Sequence, residues 1–182
     1  MKRLALAVLT AGMAVTAQAA TIDLNINDET IRAEYDAPLP QNRLNMAVGA
    51  LYHEENHFDA VVGHLGLHTQ ENTATYSAGV GGRLYGVTSS NDIDGVSIGL
   101  GGQGSVSFRQ LRDVRFGGHV YFAPKVVSFG DLDGMMDLSL RAYYAALKDV
   151  DIYLGWRKLE VDVGPHSDDL ESGLNVGFIM KF

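Results

Sequence analysis

Apolar residues alternate with small or polar residues along most of this sequence, a period of two that is typical of β-strands. The segment 95–108 shows the alternation throughout. Its apolar positions are Val96, Ile98, Leu100, Val106 and Phe108, and the positions between them include Ser97, Gly99, Gly101, Gln103, Ser105 and Ser107. The same alternation recurs in segments 44–53, 76–85, 114–122, 136–146, 150–163 and 170–182. The pattern predicts an all-β chain.

Short segments rich in Gly, Pro, Asn and Asp separate these runs and predict turns. With 58–68 added, we expect eight long strands, most of about 10 to 14 residues, which is the length a tilted strand needs to cross a bilayer. The segment Thr21–Tyr35 changes phase and predicts a hairpin turning at Asn27–Asp28. This hairpin either adds two strands, for a total of ten, or lies outside the wall. A phase change near Arg157–Lys158 predicts a β-bulge there.

The second face of the strands distinguishes a membrane barrel from a soluble β-sandwich. A sandwich exposes that face to water and should carry many Lys, Glu and Asp residues there. Here the face is dominated by Gly, Ser and Tyr with occasional Arg, and the chain contains 21 Gly in 182 residues. Small side chains suit the narrow interior of a barrel and the curvature of its wall. We therefore predict an antiparallel up-and-down transmembrane β-barrel.

The N-terminal residues have the composition of a signal peptide. Lys2 and Arg3 precede an uncharged apolar run, Leu4–Val15, and Ala17–Ala19 has the A-x-A spacing of a cleavage site. The run is shorter than the roughly 20 residues of a membrane anchor, and no stop-transfer pattern follows it. We predict a cleaved signal peptide at residues 1–19 and an outer-membrane barrel at residues 20–182.

Composition excludes several other classes. The chain has no Cys, which excludes a disulfide framework, a Cys-ligated metal and a thiol nucleophile. Removing the signal peptide lowers the formal net charge from −8 to −10. This acidity, without a cluster of Lys and Arg, argues against nucleic acid as a partner.

Three parts of the chain resemble known proteins. The segment Ile22–Asp28 with Arg32–Tyr35, and the Gly-rich strand Gly95–Gly102, resemble the YfaZ family of small Gram-negative outer-membrane β-barrel proteins. The final strand Leu174–Phe182 is similar to the terminal strand that the barrel assembly machinery recognises in outer-membrane proteins. The resemblance implies a barrel surrounded by outer-membrane lipid and lipopolysaccharide. It implies no established activity and no site residues.

Charged residues on the inward face are the main functional candidates. The predicted lumen-lining residues are Arg83, Arg115, His119, Asp137, Arg141, Arg157, Glu171 and Lys181, with Asp151 on the same face. Charges in a narrow, partly dry interior must be paired, so one interpretation is a plug of ion pairs in a closed barrel. The other is an Arg-lined constriction that favours anions. Eight strands usually leave a filled interior, whereas ten leave room for a thin channel.

Porin-like passage of small solutes through a narrow polar lumen is therefore the predicted function. The first alternative is a closed structural or binding barrel without transport. The second is a lipid-acting enzyme, which would need a Ser, a His and an acid on one face. The two-residue alternation places His119 on the same inward face as Ser97, Ser105, Ser139 and Asp137. No G-x-S-x-G motif supports this enzyme, and we predict no catalysis and no cofactor.

Metal binding has two candidate clusters, and we predict neither as a site. The group His53, Glu54, Glu55 and His57 could hold a divalent cation, but a polar hairpin tip also explains it. His64 and His68 share a face, yet four residues of strand separate them by about 13 Å. If the C-terminus is periplasmic, the loops at 54–57, 88–94, 124–134 and 163–169 face outward.

Overall fold

The computed structural model describes residues 20–40, 43–55, 58–90, 93–108, 110–111, 113–164 and 166–182. The predicted signal peptide lies outside these ranges. Apart from the single 3₁₀ turn Lys125–Val127, the described elements are strands. No helix within the described ranges is long and apolar enough to cross a membrane.

The described residues form twelve strands, numbered in chain order. They are β1 (Thr21–Ile26), β2 (Thr30–Pro38), β3 (Leu44–Glu55), β4 (Phe58–Thr69), β5 (Glu71–Asn72), β6 (Tyr76–Ser89), β7 (Asp94–Ser107), β8 (Val114–Ala123), β9 (Ser128–Gly130), β10 (Gly134–Leu147), β11 (Val150–Val163) and β12 (His166–Lys181).

Ten of these strands form a closed antiparallel ring in the order β1, β2, β3, β4, β6, β7, β8, β10, β11, β12. The short strands β5 and β9 pair with β6 and β7. The ring closes where β1 meets β12, with Thr21 opposite Lys181 and Ile26 opposite Val176. The predicted all-β barrel is confirmed, and of the two strand counts the structure has ten.

The N-terminal hairpin is part of the wall because β1 pairs with β2 on one side and β12 on the other. Its turn is stabilised by the Asn27 side chain, whose Oδ1 accepts hydrogen bonds from the backbone N of Glu29 (2.9 Å) and of Thr30 (2.5 Å). Such local side-chain bonding is what makes Asn favourable in turns.

The wall separates an apolar exterior from a polar interior. Outward positions of the long strands are exposed and apolar; Leu100, Leu140 and Leu174 are 71%, 59% and 69% exposed. Inward positions include 17 buried polar or charged residues. A soluble domain shows the opposite arrangement, so the exterior is suited to lipid.

We call the end with the β1–β2, β3–β4, β6–β7, β8–β10 and β11–β12 connections the loop end, and the end with Ala20 and Phe182 the terminal end. Near the loop end the interior is filled by an apolar plug of buried side chains. Its residues are Leu51, Ala60, Val62, Tyr85, Val87, Tyr121, Ala123, Leu132, Met135, Leu159, Val161 and Leu170.

The plug explains why the predicted bulge at Arg157–Lys158 is wrong. The inward face of β11 does not change there, and Arg157, Leu159 and Val161 are all buried. The pairing of β10 with β11 is also continuous through these positions. The inward-facing residues of β11 change from polar to apolar along the strand because it passes from the buried ion pairs into the apolar plug. The register irregularity lies in the pairing with β12, where Leu170 is the unpaired residue opposite Leu159 and Glu160.

Candidate functional site: a polar chamber above a buried ion network

Asp137 on β10 is the centre of the buried ion network. Its carboxylate accepts hydrogen bonds from Arg157 Nε (3.0 Å) and Nη2 (3.1 Å) and from the Tyr85 hydroxyl (3.1 Å). His119 Nε2 lies 3.0 Å from Asp137 Oδ1. These partners come from β6, β8 and β11, so one carboxylate connects four strands across the lumen. Asp137 is 1% exposed, and a buried charge requires such complete pairing.

Arg157 extends the network toward the N-terminal hairpin. Its Nη1 donates to Glu171 Oε2 at 2.8 Å, and Glu171 Oε1 accepts from Asn27 Nδ2 at 3.3 Å. Glu171 is 1% exposed. The network therefore reaches from β10 to the β1–β2 turn.

A second group is centred on Asp23 of β1. Its carboxylate accepts hydrogen bonds from Arg141 Nη1 (2.6 Å), Arg32 Nη1 (3.2 Å) and the Tyr153 hydroxyl (2.6 Å). The Arg141 guanidinium also lies over the Tyr153 ring, with Cζ 4.5 Å from the centroid. Asp23 thus connects the first strand to β2, β10 and β11.

Glu34 on β2 joins the two groups. It pairs with Arg32, lies 2.7 Å from His64 Nε2, and is 3.4 Å from Arg83 Nη1. Arg83 is also 3.8 Å from Asp137 and lies over the Tyr121 ring at 4.4 Å. These contacts form a continuous layer of charges across the barrel.

The predicted lumen-lining residues occupy three depths. The deepest three, within the buried network, are Asp137, Arg157 and Glu171. On the side of the network that faces the terminal end lie Arg83, His119 and Arg141. Arg115 and Lys181 lie nearest the terminal end. Both contact Asp151 Oδ2, from Arg115 Nη2 at 2.9 Å and Lys181 Nζ at 2.7 Å.

A polar chamber of about 540 Å³ occupies the interior between this layer and the terminal end. Its lining residues come from β1, β2, β3, β5, β6, β7, β8, β10 and β12 and from the residue after β4. Neither the plug residues nor Asp137, Arg157 and Glu171 line it. Within the described residues, the chamber therefore extends from a floor of paired charges toward the terminal end.

Sequence reasoning missed the acidic and basic residues of the N-terminal hairpin. Asp23, Arg32, Glu34 and Asp36 all line the chamber. A spacing of two residues along a strand is the pattern of side chains that share one face. This pattern identifies the four residues as lumen residues only if the hairpin is part of the barrel wall.

The two histidines of β4 belong to separate pairs rather than to one site. His64 contacts Glu34, whereas His68 Nε2 lies 3.2 Å from Asp36 Oδ2 and 3.0 Å from Gln103 Nε2. Within the described ranges no group of three or more His, Cys, Asp or Glu residues could hold a metal ion. His57, a member of the other candidate cluster, lies outside those ranges.

The candidate catalytic set does not form a triad in the described part of the chain. His119 contacts Asp137, but the Ser139 hydroxyl accepts from Arg141 Nε at 3.1 Å and Ser97 Oγ donates to Ser128 Oγ at 2.9 Å. Asp137 is shared with Arg157 and Tyr85. Among these residues no hydroxyl bonds to the imidazole, as nucleophile activation requires.

The closed ten-stranded ring, apolar outside and charged inside, is the architecture of outer-membrane β-barrel proteins. The family model described as "YfaZ precursor" matches residues 1–182, and the chain belongs to this family. The resemblance predicted from the sequence is thereby confirmed. No curated protein matches the chain in sequence.

Three of the solved structures that match the fold are a porin, a bacterial surface protein and an outer-membrane protease. The KdgM porin is 11% identical, with a TM-score of 0.48, covering 91% of this chain and 99% of its own. Neisserial surface protein A is 15% identical, with a TM-score of 0.40 and coverages of 90% and 94%. The outer-membrane protease OmpT from Escherichia coli is 10% identical, with a TM-score of 0.43 and coverages of 90% and 91%.

Proposed function

We propose that this protein is a closed binding barrel of the Gram-negative outer membrane, with a chamber that receives small polar solutes at the terminal end. Membership of the YfaZ family and the apolar exterior support the location. The predicted signal peptide accounts for the export of the chain. With a periplasmic C-terminus, the mouth of the chamber faces the periplasm.

The one-sided chamber is the observation that carries this proposal. Its floor is the layer of charges centred on Asp137, and behind that layer lies the apolar plug. A solute crossing the barrel would have to separate Asp137 from Arg157 and displace plug residues such as Leu159. Leaving buried charges unpaired costs several kcal/mol, about 3–5 per broken pair. The conformation described here therefore favours binding over passage.

Single-channel recording tests the closed barrel. The refolded protein, inserted in a planar bilayer, is expected to give no steady conductance steps in 1 M KCl. An established open porin inserted in the same bilayer verifies the sensitivity. Regular steps from this protein would contradict a closed barrel.

Porin-like passage is the second candidate, and one observation favours it. Leu132 belongs to the β8–β10 connection, residues 124–133, so part of the plug lies on a loop rather than on the wall. Movement of this loop would expose the charges beneath, and the arginines among them favour anions. This candidate predicts anion-selective steps from the unmodified protein in the recording above.

We propose no enzymatic role. A lipid-acting enzyme would need a hydroxyl bonded to His119, and the hydroxyls of Ser97 and Ser139 bond elsewhere. If the protein were such an enzyme, His119→Ala would abolish a change in lipid A that wild-type cells show. An unchanged lipid A profile after deletion of the gene supports the non-enzymatic proposal.

The C-terminal strand is the proposed signal for the barrel assembly machinery. β12 closes the ring against β1, and the Phe182 backbone N donates to Ala20 O at 2.9 Å. Phe182 is 63% exposed, so its ring lies on the outer surface, where a partner or lipid can contact it. Deleting Phe182 should lower the amount of folded barrel in the outer membrane, measured by heat-modifiable migration on gels.

A further inference from the structure

The mouth of the chamber has two chemically different walls, and one of them is cationic. Arg115 on β8 and Lys181 on β12 both contact the same oxygen of Asp151, so two positive charges share one negative charge. Their side chains are 33% and 38% exposed, whereas that of Asp151 is 5% exposed. The cations therefore face the chamber and the carboxylate lies behind them.

The remaining carboxylates of the chamber wall have partners of their own. Asp23 is engaged by Arg32 and Arg141, and Glu34 by Arg32 and Arg83. Asp36 accepts a hydrogen bond from Asn45 and lies 3.2 Å from His68 Nε2. In all, the lining contains five Lys or Arg side chains and three Asp or Glu side chains. An anion entering the mouth would be attracted to the wall that Arg115 and Lys181 form.

The Arg115 side chain is already held in position for such a contact. Its guanidinium lies over the Tyr143 ring, with Cζ 4.6 Å from the centroid, while Nη2 bonds to Asp151. A cation fixed by stacking loses little freedom when it binds a ligand, which strengthens the net interaction.

Amides, together with Asp36, form the opposite wall. Asn45 Nδ2 donates to Asp36 Oδ1 at 2.7 Å and to Gln70 Oε1 at 3.2 Å, and Gln70 Nε2 donates to Asn72 Oδ1 and Ser77 Oγ, both at 3.2 Å. These residues line the chamber from β2, β3, β5, β6 and the residue after β4. In the ten-strand ring, β3, β4 and β6 lie across from β10, β11 and β12. Amides present donors and acceptors together, as hydroxyl groups require.

From these two walls we propose that the mouth binds a small hydroxylated organic anion. The carboxylate or phosphate of the ligand contacts Arg115 and Lys181, and its hydroxyl groups bond to the amides of Asn45, Gln70 and Asn72. This inference rests on the proposed closed binding barrel. Carboxylate and phosphate share the chemistry that the cations recognise, and both are charge-assisted acceptors.

Calorimetric titration of the full-length mature barrel in detergent, at low ionic strength, tests the site with four three-carbon probes. Glycerate and glycerol 3-phosphate carry both features, glycerol lacks the charge, and propionate lacks the hydroxyls. The proposal predicts that one or both hydroxylated anions bind at least about tenfold more tightly than glycerol and propionate. Binding of glycerate alone identifies a carboxylate site, and binding of glycerol 3-phosphate alone a phosphate site.

Variants assign the contacts. Lys181→Gln and Arg115→Gln should each weaken glycerate binding by about tenfold. Lys148→Gln removes an exposed charge at the same end, outside the chamber lining, and should leave binding unchanged. Gln70→Ala should weaken glycerate and leave propionate unchanged. Equal effects of Lys148→Gln and Lys181→Gln would overturn the site, because the attraction would then be a general surface effect.

The outcomes separate this inference from the proposed function. If none of the probes binds while planar bilayers show no conductance, the ligand class is wrong and the closed barrel stands. If conductance steps appear, the closed barrel itself is wrong. Equal binding of glycerol and glycerate would overturn the role of the cations.

Discussion

Asp23 on the first strand and Arg141 on β10 form an ion pair across the barrel, with 2.6 Å between Asp23 Oδ2 and Arg141 Nη1. The side chains are 9% and 6% exposed. Since 118 residues separate the two positions, this contact exists only once the ring has closed. It makes β1, a strand of six residues, part of the interior network.

Replacing Asp23 should therefore destabilise the whole barrel. In Asp23→Asn, Arg141 keeps a buried charge without its carboxylate, and we expect a loss of about 3–5 kcal/mol in the free energy of unfolding. Urea unfolding in lipid vesicles, followed by tryptophan fluorescence, measures it. Asp28→Asn, at an exposed position of the same hairpin, should have little effect. Similar stabilities of the two variants would show that the ion pair does not hold the hairpin.

The proposed membrane location predicts that the cost of a charge on the outer wall depends on its depth in the bilayer. Leu174 lies near the middle of β12 and Leu147 ends β10, and their exposures are similar, at 69% and 67%. Arginine at the bilayer midplane costs about 2–4 kcal/mol and much less near the interface. We expect Leu174→Arg to destabilise the folded barrel in vesicles far more than Leu147→Arg. In a soluble protein both would be mild, so equal small effects would argue against the membrane.

Two glycines of the barrel wall should respond differently to a methyl group. A Cβ at Gly118 would lie 2.0 Å from Ser139 O on the neighbouring strand, whereas a Cβ at Gly86 would have nothing within 4 Å. Gly118→Ala must force β8 and β10 apart, at a cost of about 1–3 kcal/mol. Gly86→Ala should be tolerated. The folded fraction on heat-modifiable gels compares them, and a well-folded Gly118→Ala barrel would show that the close approach is not required.

The seal at the loop end predicts a leak when its loop residue becomes charged. Leu132 is 2% exposed and packs so closely on Gly95 that a Cβ there would lie 2.5 Å from Leu132 Cγ. Because an unpaired charge is costly in the plug, Leu132→Arg should expel the 124–133 connection from the barrel end. Val126→Arg, on the same connection but 81% exposed, should not.

Small-ion flux from loaded vesicles measures the seal, and it should be highest for Leu132→Arg. No increase would place the barrier in the ion network alone. An equal increase for Val126→Arg would instead indicate general damage to the barrel.

Much of the barrel wall could be predicted because side chains alternate between the two faces of a strand, and this two-residue period is visible directly in the sequence. Val96, Ile98 and Leu100 alternate with Ser97 and Gly99, and the structure places the first set outside and the second inside. The same two-residue alternation identified Arg83, Asp137 and Arg157 as interior residues, but it does not show at which depth along the barrel axis a residue lies. It therefore could not distinguish the mouth, the ion network and the plug.

The error at Arg157–Lys158 has the same origin. Leu159 and Val161 are apolar and face inward. A rule that assigns apolar residues to the lipid face places them outside, and it therefore predicts a change of phase in the strand at this point. The rule fails because the interior of this barrel is itself divided into a charged part and an apolar part.

By itself, the sequence determined the class of the protein, since the alternation of apolar and polar residues and the glycine content are local properties that can be read without knowledge of contacts. Only the tertiary structure decided that the N-terminal hairpin completes a ring of ten and that Asp23, Glu34 and Asp137 meet their arginines. It also placed the chamber between the ion network and the terminal end. These features depend on closure, which brings distant strands together and pairs charges that no local pattern can match.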